Sequence, residues 1–221
     1  MKAVISAGPT VERIDPVRFI SNRSSGRMGY ELAAAARDAG FEVVLVSGPT
    51  SLNAPAGVKL LRVESASEMA AAVKAEAPDA DLIIMAAAVA DYRPAQTLDR
   101  KLKKSDGELF LKLVRTEDIL ASLGRAKPAG QILVGFAAET EELLANARSK
   151  LERKNLDWIA ANSVAEGFAT TTDAVTLLGR DGEVVDLPRA PKREIARAIL
   201  RHVFPHAPAA VVLPPTKGIV S

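Results

Sequence analysis

The chain predicts an α/β fold: a Rossmann-like, doubly wound, mainly parallel sheet with two inserted β-hairpins forming a small dimerisation subdomain. Three observations predict it. Apolar runs of strand length recur at residues 3–7, 43–47, 82–87, 132–136 and 156–160. They are apolar on both pleat faces, as strands covered by helices on both sides must be. Helical patterns alternate with them, at residues 25–39, 67–77, 117–125 and 139–154, which is the rhythm of βαβ units. Two further stretches, about 101–115 and 173–188, read instead as hairpins around Ser105-Asp106-Gly107 and Arg180-Asp181-Gly182. Asp-Gly is a strong turn signal, and a lone hairpin is marginal in water, so these arms call for a partner surface.

Each element has a local reason. The helix over 25–39 stops at Gly40, a natural cap, and the one over 67–77 stops before Pro78. A last amphipathic helix, 192–203, follows Pro191, and residues 207–221 read as a Pro-rich extended tail beyond a domain of residues 1–206.

Composition narrows the function. The 221 residues suffice for one domain with a substantial core. With 29 Lys and Arg against 27 Asp and Glu, there is no bulk charge argument for nucleic acid, and anion binding must come from local clusters. The absence of cysteine removes disulfides, thiolate metal sites and thiol nucleophiles. The first residues enter a strand pattern and do not resemble a signal peptide, and no apolar run approaches the ~20 residues of a membrane span. A cytoplasmic protein is the expectation.

Ser21-Asn22-Arg23-Ser24-Ser25-Gly26-Arg27-Met28-Gly29 carries the clearest chemistry. Small residues at a helix start let backbone N–H groups close on a phosphate, where the helix dipole favours negative charge. A capped helix start accounts for a serine and a glycine, but not for Asn22 with Arg18, Arg23 and Arg27 nearby. Gly8-Pro9-Thr10 ends the first strand, at the edge where open α/β sheets bind ligands. Neither G-x-G-x-x-G nor a Walker A pattern is present. Asp91, after the small residues Ala86, Ala87 and Ala88, suits a ribose hydroxyl or a metal–phosphate unit, or equally a turn. Lys101-Leu102-Lys103-Lys104 is either a solvated strand edge or a clamp over a triphosphate. Phe136 ends a strand, where it can lie on a nucleobase or in the core. Lys150 and Lys154 share a helical face, whether for a ligand or for the helix dipole.

Taken together, Ala7-Gly8-Pro9-Thr10, Asp15-Pro16-Val17-Arg18, residues 20–29, 87–92, 101–104, 135–140 and 150–155 resemble bacterial phosphopantothenoylcysteine synthetase, the ligase half of the bifunctional coenzyme A biosynthesis flavoprotein. The resemblance runs to about residue 206. It implies a ligase joining 4′-phosphopantothenate to L-cysteine with CTP, through an acyl-cytidylate, with release of pyrophosphate and CMP. It implies Asn22 at the acyl centre and Lys101 at the phosphates, as the catalytic pair. Gly8, Ser24, Ser25, Gly26, Met85, Ala86, Ala87, Asp91, Glu117, Asp118, Ile119, Leu120, Phe136, Lys150 and Lys154 are implied for the nucleotide, and Arg18 with Asn22 for the substrate. One departure is Thr116-Glu117-Asp118-Ile119, where the family often has Asn-Pro-Asp-Ile; a backbone contact survives that change.

The resemblance further implies Mg²⁺ with CTP, its protein ligands left open because the triphosphate itself can hold the ion, and a homodimer through the inserted β-elements. Many members carry an N-terminal FMN-dependent decarboxylase. No counterpart of it is read in these residues, so no FMN is assigned to them; both a free-standing synthetase and one half of a fused protein are compatible with the sequence. An NAD(P) oxidoreductase lacks its glycine fingerprint and a hydride-transfer pair. A CTP-binding regulatory module is disfavoured by Asn22 and Lys101.

Overall fold

A computed structural model describes residues 1–103, 108–139, 143–163 and 171–205. Among these the chain forms one eight-stranded sheet, in the order β12-β11-β10-β9-β6-β1-β4-β5. The six parallel strands are β1 (Lys2–Ala7), β4 (Glu42–Ser47), β5 (Lys59–Arg62), β6 (Leu82–Met85), β9 (Ile132–Glu139) and β10 (Trp158–Ser163). From β1 the chain winds outward through β4 to β5, then returns past β1 to build β6, β9 and β10. The strand order therefore reverses between β1 and β6, and the crevice above their C-terminal ends is where open sheets of this kind take ligands.

Helix α1 (Arg27–Asp38) and the last helix, α5 (Lys192–Val203), pack on one face and on each other. There Ile5, Leu45, Leu82, Ile84 and Val134 meet Leu32, Ile195 and Ile199. The other face, with Val4, Val46, Ile83, Leu133 and Ile159, is covered by α2 (Ala66–Glu76), α3 (Ile119–Ala126) and α4 (Leu143–Arg153). The two-faced burial explains the continuous apolar strand runs.

The doubly wound, mainly parallel sheet agrees with the sequence; the differences lie at boundaries and hairpins. α1 begins at Arg27 because Gly26 takes a left-handed φ of 74°. Gly40, φ 87°, closes its other end as expected. Strand β9 continues to Glu139, so α4 starts at Leu143 rather than at residue 139. Asn155, φ 54°, makes the turn after α4, which delays β10 to Trp158.

The stretch 173–188 does form a hairpin, β11 (Thr172–Gly179) with β12 (Val184–Pro191). It is not a separate subdomain: β11 pairs antiparallel with β10 and extends the main sheet.

The expected hairpin over 101–115 is re-paired. Its last residues, β8 (Leu113–Arg115), pair with β7 (Tyr92–Pro94). Residues 101–103 form no strand, because the N–H and C=O of Leu102 are taken by the Asp15 carboxylate and the Arg18 guanidinium. Residues 104–107, with the Asp-Gly turn, and the tail from residue 206 lie outside the described residues. A second small pair, β2 (Val11–Arg13) with β3 (Phe19–Ser21), carries the chain from β1 to the loop before α1. Among the described residues no helix is long and apolar enough to cross a membrane.

Candidate functional site

A cleft of about 410 Å³ opens over the reversal point. Its floor is the loop before α1 and the loop after β6, and the latter is fastened to the end of β1 and the turn that follows it. Ala88 N–H donates to the Gly8 carbonyl (2.9 Å) and Thr10 N–H to the Ala88 carbonyl (3.2 Å). The buried hydroxyls of Ser6 and Thr10 accept from Ala87 N–H (3.1 Å) and Ala90 N–H (2.9 Å). The third wall, 116–120, hangs from the same loop, since Thr116 donates its N–H to the Asp91 carbonyl and its hydroxyl to that of Ala90.

The α1 loop is built for close approach. A Cβ on Gly26 would stand 3.1 Å from the backbone of Gly8 and 2.8 Å from the Thr50 side chain. One on Gly29 would stand 2.5 Å from Ala7 Cβ and 2.8 Å from the Ser6 carbonyl oxygen. The start of α1 therefore sits directly on the end of β1. Gly26 offers no side-chain cap; Arg27 N–H reaches the Ser25 hydroxyl at 3.5 Å, and Met28 and Gly29, whose N–H groups follow, line the cleft, as an anion seat requires. Asn22 donates from Nδ2 to the Ala88 carbonyl at 3.1 Å. An amide has two N–H bonds, and this contact fixes the direction of the second.

On the far wall Asp118 caps α3, accepting from Ala121 N–H at 3.0 Å, and pairs with Lys154 at 2.8 Å. Burial opposes its ionisation, but Lys154 and the cap outweigh burial and hold its carboxyl below the ordinary value. Glu117 turns its carboxylate outward to Lys74, 2.8 Å away, which also lowers its pKa. Phe136, half-buried, completes the lining together with Lys150.

Of the residues read from the sequence, Asn22, Ser24, Ser25, Gly26, Met85, Ala86, Ala87, Asp91, Glu117, Asp118, Ile119, Leu120, Phe136, Lys150 and Lys154 line this one cleft. Three do not. Gly8 is buried beneath Gly26 as a support. Arg18 and Lys101 lie away from the lining: Arg18 is paired with Asp15, and Leu102, the neighbour of Lys101, is bonded to the same carboxylate. That carboxylate, fully buried, accepts from Arg18 Nε (2.9 Å) and from the N–H groups of Leu102 (3.0 Å), Val17 (2.8 Å) and Arg18 (2.9 Å). The Arg18 guanidinium, then the Leu102 N–H, hold its carboxyl far below the usual range.

A group with a depressed folded pKa stabilises the fold above its unfolded pKa, and loses that contribution as pH falls through the folded value. Asp15→Asn should therefore lower the melting temperature at pH 7. The gap to the parent should narrow progressively below about pH 4, near the ordinary Asp pKa. A gap that stays constant from pH 7 to pH 2 would contradict this role for Asp15.

Sequence reading missed Thr116, Asn162, Asp173 and Lys192, which also line the cleft. The one signal was a lysine as the first residue of an amphipathic helix, against the helix-dipole preference.

Residues 1–206 match the family described as the DNA/pantothenate metabolism flavoprotein C-terminal domain. The chain belongs to that family. The coenzyme A biosynthesis bifunctional protein CoaBC of Bacillus subtilis (strain 168) is 48% identical over 204 residues, covering 90% of this chain and 50% of that protein. The crystal structure of the C-terminal domain of CoaBC is 44% identical with a TM-score of 0.79, covering 91% of this chain and 93% of that one. The Cab2 H337A variant, solved with phosphopantothenate-cysteine, is 20% identical with a TM-score of 0.76, covering 93% and 85%. This last likeness bears on the fold alone. The chain thus spans about half the length of the curated relatives it matches, and corresponds to the C-terminal domain of these coenzyme A biosynthesis proteins.

Proposed function

We propose that the chain is a phosphopantothenate–cysteine ligase that uses CTP. The observation that carries this reading is the single cleft at the strand reversal. It gathers an uncapped helix start, Asn22, Asp91, Phe136 and Lys154, which are the parts that a nucleoside triphosphate and an acyl transfer need. Membership of the family, with relatives named for coenzyme A biosynthesis, supports it.

In this reading the nucleotide lies with its phosphates on the N–H groups at the start of α1 and its nucleoside toward Phe136, residues 117–120, Lys150 and Lys154. A carboxylate oxygen of 4′-phosphopantothenate attacks the α-phosphorus as the bond to the β-phosphate oxygen breaks, and pyrophosphate leaves. The cysteine amine then attacks the acyl carbon, the C–O bond to the phosphate breaks with CMP departing, and the amine gives up its proton. Charge collects on the acyl oxygen during that attack, where the oriented N–H of Asn22 stabilises it. Arg18 contributes to substrate binding.

Lys101 would serve the phosphates by moving with its segment over the bound triphosphate. Mg²⁺ would supply charge neutralisation at the phosphates. Among the described residues no group of three His, Cys, Asp or Glu side chains could hold a metal. An ion bound chiefly by phosphate oxygens, with Asp91 on the rim, fits that donor set.

The exposed apolar residues Leu109, Phe110 (86% exposed), Leu111 and Leu113 support a homodimer formed through this segment. Fusion to an FMN-dependent decarboxylase is proposed for the full-length protein, with FMN outside this chain.

The test is a two-stage assay. Pyrophosphate should appear on adding phosphopantothenate, Mg²⁺ and CTP, faster than with ATP, and CMP with the amide product should follow on adding cysteine. No pyrophosphate with any nucleotide would sink the reading.

A further inference from the structure

The turn that begins α1 is held from below by a segment outside the cleft. Strand β4 ends at Ser47, and the chain continues through Gly48 and Pro49 to Thr50. Gly48 N–H donates to the Ala7 carbonyl at 3.0 Å, and a Cβ on Gly48 would run into the Pro9 carbonyl oxygen. The segment is thus pressed against the end of β1. Thr50 then reaches both Gly8 and Gly26. A Cβ on Gly8 would stand 2.9 Å, and one on Gly26 2.8 Å, from the Thr50 methyl carbon. Both glycines have a left-handed φ, 76° and 74°, and the methyl fills the space that a side chain on either would need.

The hydroxyl on the same Cβ is fixed separately. Thr50 Oγ1 donates to Tyr30 Oη at 3.1 Å, Tyr30 Oη donates to Ser47 Oγ at 3.1 Å, and Ser47 Oγ donates to the Gly48 carbonyl at 2.8 Å. Each hydroxyl has one proton to give, so the chain runs in one direction and ends on a backbone acceptor. Leu52 N–H also donates to Thr50 Oγ1, at 3.4 Å. Ser47 and Tyr30 are buried. Fixing the hydroxyl of a β-branched residue fixes its methyl as well. Tyr30 belongs to the first turn of α1, and its N–H donates to the Gly26 carbonyl at 3.2 Å. Thr50 therefore grips both ends of that turn, by its methyl at Gly26 and by its hydroxyl at Tyr30. A residue needed only to end β4 would require neither contact.

We infer that Thr50 is a positioning residue for the phosphate-binding turn of the nucleotide site. It lies outside the cleft lining and acts through Gly26, whose left-handed φ aims the Arg27, Met28 and Gly29 N–H groups that follow. The inference rests on the placement of the nucleotide phosphates at the start of α1. The methyl sets the direction of those donors, and the bond to Tyr30 keeps the methyl in place. Hydrogen bonds to a phosphate lose strength steeply as they leave alignment.

Thr50→Ser keeps the hydroxyl and removes the methyl, whereas Thr50→Val keeps a methyl and removes the hydroxyl. The whole chain is titrated with CTP and inorganic pyrophosphate by calorimetry, and with cytidine by ligand-detected NMR, beside a melting curve for each variant. Thr50→Ser should weaken CTP and pyrophosphate about five- to tenfold, part of the strength of charge-assisted hydrogen bonds, with cytidine bound as before. Thr50→Val should lower the melting temperature but bind all three ligands as the parent does. Tyr30→Phe frees the Thr50 hydroxyl to turn and should weaken CTP and pyrophosphate. Adding Thr50→Val to it should restore both, because the two partners of one hydrogen bond are then apolar together.

Affinities that fall in step with the melting temperature across these variants would overturn the inference, as would a Thr50→Ser protein that binds CTP and pyrophosphate like the parent. An equal loss for cytidine, or a parent that binds neither phosphate ligand, would do the same. Selective weakening of pyrophosphate in Thr50→Ser, in a protein that makes no amide product, would leave Thr50 in its role and remove the ligase. Amide synthesis by the parent with CTP, at an unchanged KM in Thr50→Ser, would keep the ligase and remove the role.

Discussion

Asn22→Asp is expected to slow amide formation by about a hundredfold or more while leaving pyrophosphate release nearly intact. Loss of one preorganised donor to an oxyanion costs roughly 10²–10³ in rate, and an ionised carboxylate adds repulsion at the point where negative charge develops. The structure makes the change local. Asn22 is exposed at the rim, and its Nδ2 contact is a single hydrogen bond to the Ala88 carbonyl. A quench experiment should therefore show acyl-nucleotide accumulating in the variant when cysteine is present, with the melting temperature close to the parent's. Parallel losses in both half-reactions would instead assign Asn22 to nucleotide binding.

Gly29→Ala is expected to damage both stability and nucleotide affinity through one added methyl group. Its Cβ would lie 2.5 Å from Ala7 Cβ and 3.0 Å from Ala7 Cα, distances that only a shift of α1 away from β1 can relieve. Overpacking of this kind costs about 1–3 kcal/mol, or roughly 2–12 °C in melting temperature for a chain of this size. The same shift lifts the Ser24–Gly26 turn from its seat over Gly8, so CTP binding should weaken with it. An unchanged melting temperature and affinity would show that the helix is not clamped to the strand as described.

What the sequence made legible follows from what is local. The strand-to-helix turn before α1 is written in adjacent small residues, and the parallel strands in their apolar runs, so the C-terminal edge of the sheet could be located in advance. Lys154 was marked by helical spacing from Lys150, although its pairing with Asp118 depends on how α3 and α4 pack. Asp173 and Lys192 escaped because they reach the cleft only when β11 turns back against β10. Arg18 and Lys101 were read as parts of the cleft from their motifs. A buried Asp15 draws Arg18 and the neighbour of Lys101 into its own hydrogen-bond set, and no period or spacing announces that competition.

The reversed direction of β11 has a practical corollary. In a wholly parallel sheet every strand offers its last residues to the ligand edge and its first residues to the opposite one. The antiparallel pair inverts this, so its start and the return into α5 stand at the cleft while its turn, Arg180 to Gly182, points to the far side. A fluorophore, affinity handle or inserted peptide at that turn would report on or tether the molecule from the edge where ligands do not enter.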